Sequence, residues 1–300
     1  MKRILSITGG GIRGIIPCCV LVELERYTGK LTRECFDFVA GTSTGALLAA
    51  AVAAGIPAKQ VLRIYTERAK EIFTPGPTLS AGLMLSRGYR YDSTNIARVL
   101  ESEFREAAGW VLNDSPIRLL LTAMHVSGHP WYFVKDGPKN SQVTGTCGLI
   151  DCAVASACAP TYFSPWYVHP GAIPIGWCYD GGVGVTGNPV YQACVEAILY
   201  DDFTRGETQV LSLGTGFYPA HQVNPPRGFL STLSWAIDTL TSAPMDEQTQ
   251  LVDRHYPGMQ KHFNWELPQP IVMADLNSIP ALLEVGQAAA KGMDWREVLL

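Results

Sequence analysis

Charge is what this 300-residue chain has least of. Only 17% of its residues are Asp, Glu, Lys or Arg, against about 25% in an ordinary soluble domain. The 23 basic and 27 acidic side chains leave a net charge of −4 and no basic stripe. That excludes a nucleic acid polymer as partner, because gripping a phosphate backbone takes clustered Lys and Arg. Membrane-spanning runs are also missing. Phe38 to Lys59 has no charge between its ends, yet it holds Gly41, Thr42, Ser43, Thr44, Gly45, Gly55 and Pro57, too polar and too broken for a bilayer span. Met1-Lys2-Arg3 and the apolar residues after it imitate a secretion signal, but Gly9 to Gly11 cut the run short. Metal spacing is absent as well: Cys147, Cys152, Cys158 and Cys178 lack paired two-residue gaps, and the six histidines form no HExxH. The expectation is a cytoplasmic, reduced protein with no metal, whose eight cysteines serve as small buried apolar side chains.

What is present is apolar. Hydrophobic residues make up 47% of the chain and mean hydropathy is slightly positive. Disorder, a collagen-like fibre and a coiled coil are thereby excluded.

Strand and helix signals alternate along the chain. Strands are expected at Arg3–Thr8, Phe36–Ala40, Arg118–His125, Pro130–Lys135, Trp177–Asp180 and Gln209–Leu213. Helices are expected at Ile15–Thr28, Ala46–Ala54, Ala58–Phe73, Asp92–Ala107, Ile150–Cys158 and Asn188–Tyr200, with Phe229 to the end mostly helical. Thr74 to Tyr91 reads as a long loop rich in Gly, Pro and Ser. This order argues an α/β fold with a mainly parallel sheet covered on both faces, in one domain over residues 1–300.

Two glycine-rich turns, each between a strand and a helix, stand near the N-terminus. Gly9, Gly11 and Gly14 satisfy the dinucleotide fingerprint GxGxxG, which demands an acidic residue at the end of the second strand to hold ribose. That strand ends Val39-Ala40-Gly41-Thr42, so the nucleotide reading fails its own test. Gly41-Thr42-Ser43-Thr44-Gly45 matches GxSxG, a nucleophile elbow that lifts a serine hydroxyl above a sheet at the positive end of a helix. Small residues at a tight turn account for that pattern alone equally well. Together the two turns offer more: a nucleophile, and a run of backbone N–H groups at Gly9, Gly10 and Gly11 suited to a developing oxyanion. Arg13 is a fixed positive charge fit for a substrate anion or for a surface salt bridge.

A base is still needed. His255 and His262 are the histidines placed as in a Ser-Asp-His hydrolase, although an elbow as early as residue 43 is unusual there. Asp180-Gly181-Gly182 offers a carboxylate at a strand end, or simply a turn. An aspartate is a weak base at its ordinary pKa and serves only if desolvated against the serine.

With these motifs assembled, the chain resembles the patatin-like phospholipases. The resemblance rests on Gly9-Gly10-Gly11-Ile12-Arg13-Gly14, Gly41-Thr42-Ser43-Thr44-Gly45, Ala155 to Phe163, Asp180-Gly181-Gly182 followed by Asn188-Pro189, and Val210 to Gly216. It covers residues 3–216 and leaves 217–300 without a placed motif. Thr8 stands where family members often carry an aspartate before the glycines. The resemblance implies a three-layer α/β/α fold and a lipid acyl hydrolase working through a Ser43–Asp180 dyad. It implies an oxyanion hole at Gly9, Gly10 and Gly11, and elbow and loop glycines at Gly14, Gly41, Gly45, Gly181 and Gly182. It calls for no calcium or other cofactor. Phospholipid is the implied substrate, met by transient contact at the inner membrane face. A housekeeping esterase or acyltransferase on soluble or neutral-lipid esters is the alternative. Compact bacterial members of the family act as antiphage effectors switched on by cyclic oligonucleotides, so such an activator is a candidate partner, as is a second copy of the chain. Apolar residues of Thr74–Tyr91, including Leu83, Met84 and Leu85, and of Tyr162–Trp177 are candidates for a lid, an acyl channel or bilayer contact, with ordinary packing as the plainer reading.

Overall fold

The computed structural model describes residues 1–75, 88–140, 143–169, 171, 173–184, 186–219, 227 and 245–299. Its frame is an eight-stranded sheet. The strands are β1 (Lys2–Ile7), β2 (Phe38–Gly41), β4 (Arg118–His125), β5 (Pro130–Val134), β7 (Trp166–Val168), β8 (Gly176–Asp180), β9 (Thr208–Leu213) and β10 (Gln260–Phe263). They lie in the order β10-β9-β1-β2-β4-β8-β7, with β5 also on β4. A two-stranded parallel sheet pairs β3 (Tyr89–Tyr91) with β6 (Thr161–Phe163).

β10, β9, β1, β2 and β4 are all parallel. Parallel strands must be buried on both faces, which is why they read as continuous apolar runs. Leu5, Ile7, Val39, Leu119, Leu121, Leu211 and Leu213 face one core; Ile4, Phe38, Ala40, Leu120 and Val210 face the other. Over the first face lie α1 (Ile15–Thr28), α2 (Thr44–Ala54), α4 (Thr94–Phe104), α5 (Leu149–Ala157) and α8 (Ile279–Gly292). α3 joins them as Ala58–Arg63, a π-helical stretch Ile64–Arg68, and Ala69–Ile72. Over the second face lie α6 (Val190–Val195), continued by π-helical Glu196–Tyr200, and α7 (245–255). The result is the expected three-layer arrangement around a mostly parallel sheet.

Most expected elements are present, with differences at the edges. Helix Asp92–Ala107 is shorter, Thr94–Phe104, because Arg105 turns to φ 51° and a 3-10 turn follows. Its first free amide, on Thr94, is capped by Asp92 Oδ1 at 2.9 Å. The C-terminal part is not simply helical: β10 adds an edge strand to β9. The eight cysteines are buried free thiols. No helix among the described residues is long and apolar enough to cross a membrane. The proposed lid residues Leu83, Met84 and Leu85 lie outside the described residues.

Candidate active site

β4 outruns its neighbour, and that builds the site. β2 pairs with Arg118–Leu121, ending at Gly41 opposite Leu121. β8 comes antiparallel along β4, ending with Asp180 opposite Ala123. β5 pairs with Leu120–Met124 and overlaps both of those stretches, so β2 and β8 share β4's other edge. They approach head-on, and their C-terminal ends meet across one residue, Thr122. The chain leaving β2 carries Ser43; β8 delivers Asp180.

Ser43 has φ 56° and ψ −126° at the N-cap of α2, the sharp bend of a nucleophile elbow. The bend is possible because its neighbours lack a Cβ: one on Gly41 would stand 2.1 Å from the Gly45 carbonyl oxygen, and one on Gly45 2.2 Å from that of Ile7. Ser43 is 7% exposed and Asp180 3%. The Ser43 hydroxyl lies near enough to the Asp180 carboxylate to draw its pKa down, and the Gly182 amide donates to Asp180 Oδ1 at 2.7 Å. Burial pushes the Asp180 pKa up to about 7, against the opposing pull of the Ser43 hydroxyl and the Gly182 amide. A carboxylate poised there is half-ionised at neutral pH and fit to exchange a proton.

The histidine alternatives lead elsewhere. His255 Nδ1 meets the Tyr191 hydroxyl at 3.0 Å. His262 Nδ1 meets Ser212 Oγ at 2.9 Å, and burial pushes its pKa down.

Of the three loop glycines, Gly9 is corrected as an amide donor: its N–H is taken by the Gly187 carbonyl at 3.0 Å. Its role is close approach, since a Cβ there would lie 3.0 Å from Ser43 Cβ. Thr215 Oγ1 donates to the Gly9 carbonyl at 2.6 Å and fixes the loop to the end of β9. Gly11, at φ 59°, lines the same cavity as Ser43. Among the described residues no acceptor takes the Gly10 or Gly11 N–H. Arg13 turns back on the loop, its Nε donating to the Gly10 carbonyl at 3.2 Å. Gly14 lets the loop approach α2 and α3, where a Cβ would meet Thr44 Oγ1 at 2.4 Å. Gly181 packs against Thr122, with no room for a side chain.

Several residues here were not singled out from the sequence. Ser156 Oγ accepts the Ser43 N–H at 3.0 Å, while its carbonyl accepts the Gly181 N–H at 3.3 Å and that of Cys158 the Asp180 N–H at 3.0 Å. One residue of α5 therefore holds both halves of the pair. On the other side, Thr42 Oγ1 donates to the Thr186 carbonyl at 2.6 Å. Its only proton is then used, so Thr122 Oγ1, 2.7 Å away, donates to Thr42. Thr186 Oγ1 in turn bonds the Gly181 carbonyl. The signal for Ser156 was its place within the Ala155–Phe163 motif; the threonines offered none.

Ser43 opens onto an almost wholly apolar cavity of about 60 Å³, running between α2, α3 and α4. Leu47, Ala51, Val61, Ile64, Leu100 and Phe104 line it. Phe73 and Phe163, also in its wall, pack on Tyr91 at ring distances of 5.4 and 5.5 Å. Among the described residues no three His, Cys, Asp or Glu side chains cluster as metal ligands would.

An elbow serine beside a buried aspartate, above a mainly parallel α/β/α sheet, defines a class of fold and site. The chain belongs to the patatin-like phospholipase family, whose family model matches residues 5–193. It is 30% identical over 233 residues to the cGAMP-activated phospholipase of Vibrio cholerae serotype O1, covering 71% of this chain and 64% of that protein. It is 31% identical over 228 residues to the cGAMP-activated phospholipase of Escherichia coli strain TW11681, covering 71% and 62%. To Patatin-17 of Solanum cardiophyllum it is 30% identical over 182 residues, covering 56% and 44%. The chain thus spans less than two thirds of each of these relatives.

Proposed function

We propose that the protein hydrolyses fatty-acyl esters of membrane phospholipids through a Ser43–Asp180 dyad. The observation that carries this is an elbow Ser43 in the wall of an apolar cavity, beside a buried Asp180 whose pKa its hydroxyl draws down. Ser43 Oγ attacks the ester carbonyl while Asp180 takes its proton. The oxyanion that forms is met by the Gly10 and Gly11 N–H groups and by the positive end of α2. Protonated Asp180 then gives its proton to the departing lysolipid oxygen. Water, deprotonated by the same carboxylate, attacks the acyl-enzyme and releases free fatty acid, regenerating Ser43. The cavity along α2 receives the first part of the acyl chain, and its apolar lining favours a fatty ester over a short soluble one. Each step uses the protein's own groups.

Regulation is the second part of the reading. Relatives similar to this chain are named for activation by cGAMP, and another, from Escherichia coli, for activation by cUMP-AMP. We take this protein to be an effector of the same kind, cytoplasmic and silent until a cyclic oligonucleotide appears, and suited to antiviral defence. The test is release of fatty acid from phospholipid vesicles by the parent, Ser43→Ala and Asp180→Asn, with and without a panel of cyclic oligonucleotides. Release by the parent alone, and only with one nucleotide, is expected. Activity in either variant would refute the dyad; equal activity without nucleotide would refute the switch.

A further inference from the structure

Two stretches of the sequence, residues 119–134 and 152–179, hold no Asp, Glu, Lys or Arg at all, in a chain that is 17% charged. The fold brings them together: β4 beyond Arg118 and all of β5 come from the first, β7 from the second, and β8 begins in the second and closes on Asp180. Burial of the sheet accounts for the inward half, such as Ala123, Phe133, Val168 and Cys178. It does not account for the outward half.

On that outer side Tyr167 is 41% exposed, Trp177 49% and Val126 52%. Tyr167 and Trp177 are direct cross-strand partners, with rings edge-to-face at 5.2 Å. The Val126 N–H donates to the Trp177 carbonyl at 3.1 Å, so the β4–β5 turn lies beside them. His169 stands 5.7 Å from the Tyr167 ring. The place matters. β4 reaches this region only because it runs past the end of β2, so the patch projects from the same end of the sheet as Ser43. Trp177 sits three residues before Asp180 on the same strand.

We infer that the outer face of the β7–β8 hairpin, with the β4–β5 turn, is the surface that settles onto a lipid bilayer. The inference rests on the phospholipid reading above. Tyr and Trp are the side chains that partition to the headgroup zone, because each couples an apolar ring to a polar tip. The patch carries no Lys or Arg, and the carboxylate at its edge, Asp151, meets His169 Nδ1 at 3.1 Å; it has little to offer anionic headgroups, so the occupant is a neutral, zwitterionic interface met by apolar contact. A partner strand is poorly served here. β7 has three residues and is bracketed in sequence by Pro165 and Pro170, and a short strand beside prolines offers few N–H groups to pair.

The experiment is flotation of the full chain with phosphatidylcholine vesicles, in the Ser43→Ala background so that binding is read without turnover, and with the cyclic oligonucleotide panel present. Trp177→Ala with Tyr167→Ala should weaken binding by about tenfold or more, with little dependence on salt or on added anionic lipid. In the otherwise native chain, the pair should lower hydrolysis of vesicles and leave hydrolysis of a short soluble ester unchanged. Tyr27→Ala with Leu199→Ala, two exposed apolar side chains outside this patch, serves as the control pair and should bind as the parent does. Unchanged flotation of the hairpin variant would overturn the inference. So would loss of binding in the control pair instead, or a parent dimer that the hairpin variant dissociates, which would make a second copy the occupant. Failure of the hydrolase reading shows separately, as absence of fatty acid release with flotation intact.

Discussion

Replacing Asp180 with Asn should inactivate the protein and at the same time stabilise it above neutral pH. Asp180 is 3% exposed, and burial pushes its pKa up to about 7 in the folded protein. In the unfolded chain it titrates near 4. Between those values the folded state binds more protons than the unfolded one, so stability falls as pH rises and the loss is complete above about 7. Moving from about 4 to about 7, at about 1.36 kcal/mol for each tenfold in proton affinity, sets a ceiling of about 4 kcal/mol. Asn keeps the shape and the acceptor for the Gly182 amide but cannot ionise. Urea unfolding of both proteins from pH 4.5 to 8.5 should show Asp180→Asn gaining on the parent as pH rises, by up to about 4 kcal/mol, then levelling. The same ionisation governs the rate: kcat/KM on a soluble ester should rise about tenfold from pH 6 to pH 8, with unit slope below 7. A stability gap independent of pH, with a flat rate profile from pH 5 to 8, would mean that Asp180 is an ordinary carboxylate and would refute the argument.

Ser156→Ala removes the acceptor for the Ser43 amide. It should lower kcat on a soluble ester by roughly 10- to 100-fold with KM nearly unchanged, and Ser156→Thr, which keeps the hydroxyl, should recover part of it; a rise in KM alone would deny Ser156 a positioning role. Ala51→Trp fills the cavity wall seven residues along α2 from Thr44, about 10 Å at the helical rise. Mass spectrometry of released fatty acids should show long chains lost and short ones retained. Gly45→Ala drives a Cβ to 2.2 Å from the Ile7 carbonyl oxygen; thermal melting should show a loss of about 3 kcal/mol or more, or no folded protein.

What could be read from the sequence follows from how local each determinant is. Helix Ile15–Thr28 and strand Arg118–His125 occur with the boundaries that their patterns suggest, because continuous apolar runs and a terminal Gly29 in the left-handed region are short-range signals. β10 was not legible: Gln260–Phe263 is half-buried throughout, with no apolar run to mark it. β6 and β7, three residues each, are too short to alternate visibly. The π-helical turns in α3 and α6 leave the apolar spacing almost unchanged and so pass as ordinary helix.

The site divides along the same line, and the division explains its chemistry. The elbow around Ser43 was legible because its strain is local: no residue with a Cβ fits at Gly41 or Gly45. What sets Asp180 beside Ser43 is not local at all. Its elevated pKa depends on burial, and its contact with Ser43 depends on β8 running against β4 and stopping at Ala123, one Thr122 beyond the end of β2. Had β8 run parallel to β2, the aspartate at its C-terminal end would have pointed the same way as Ser43 instead of towards it. A triad solves the distance between nucleophile and acid with an intervening imidazole. Here two strand ends meeting face to face bring Asp180 up to the Ser43 turn directly, and the proposed dyad works without an imidazole between them. The struts on either side, Ser156 and the Thr42–Thr122–Thr186 chain, then hold the meeting point rigid. Small hydroxyl residues suit that task because they satisfy buried polar groups without adding a charge that would shift Asp180 again.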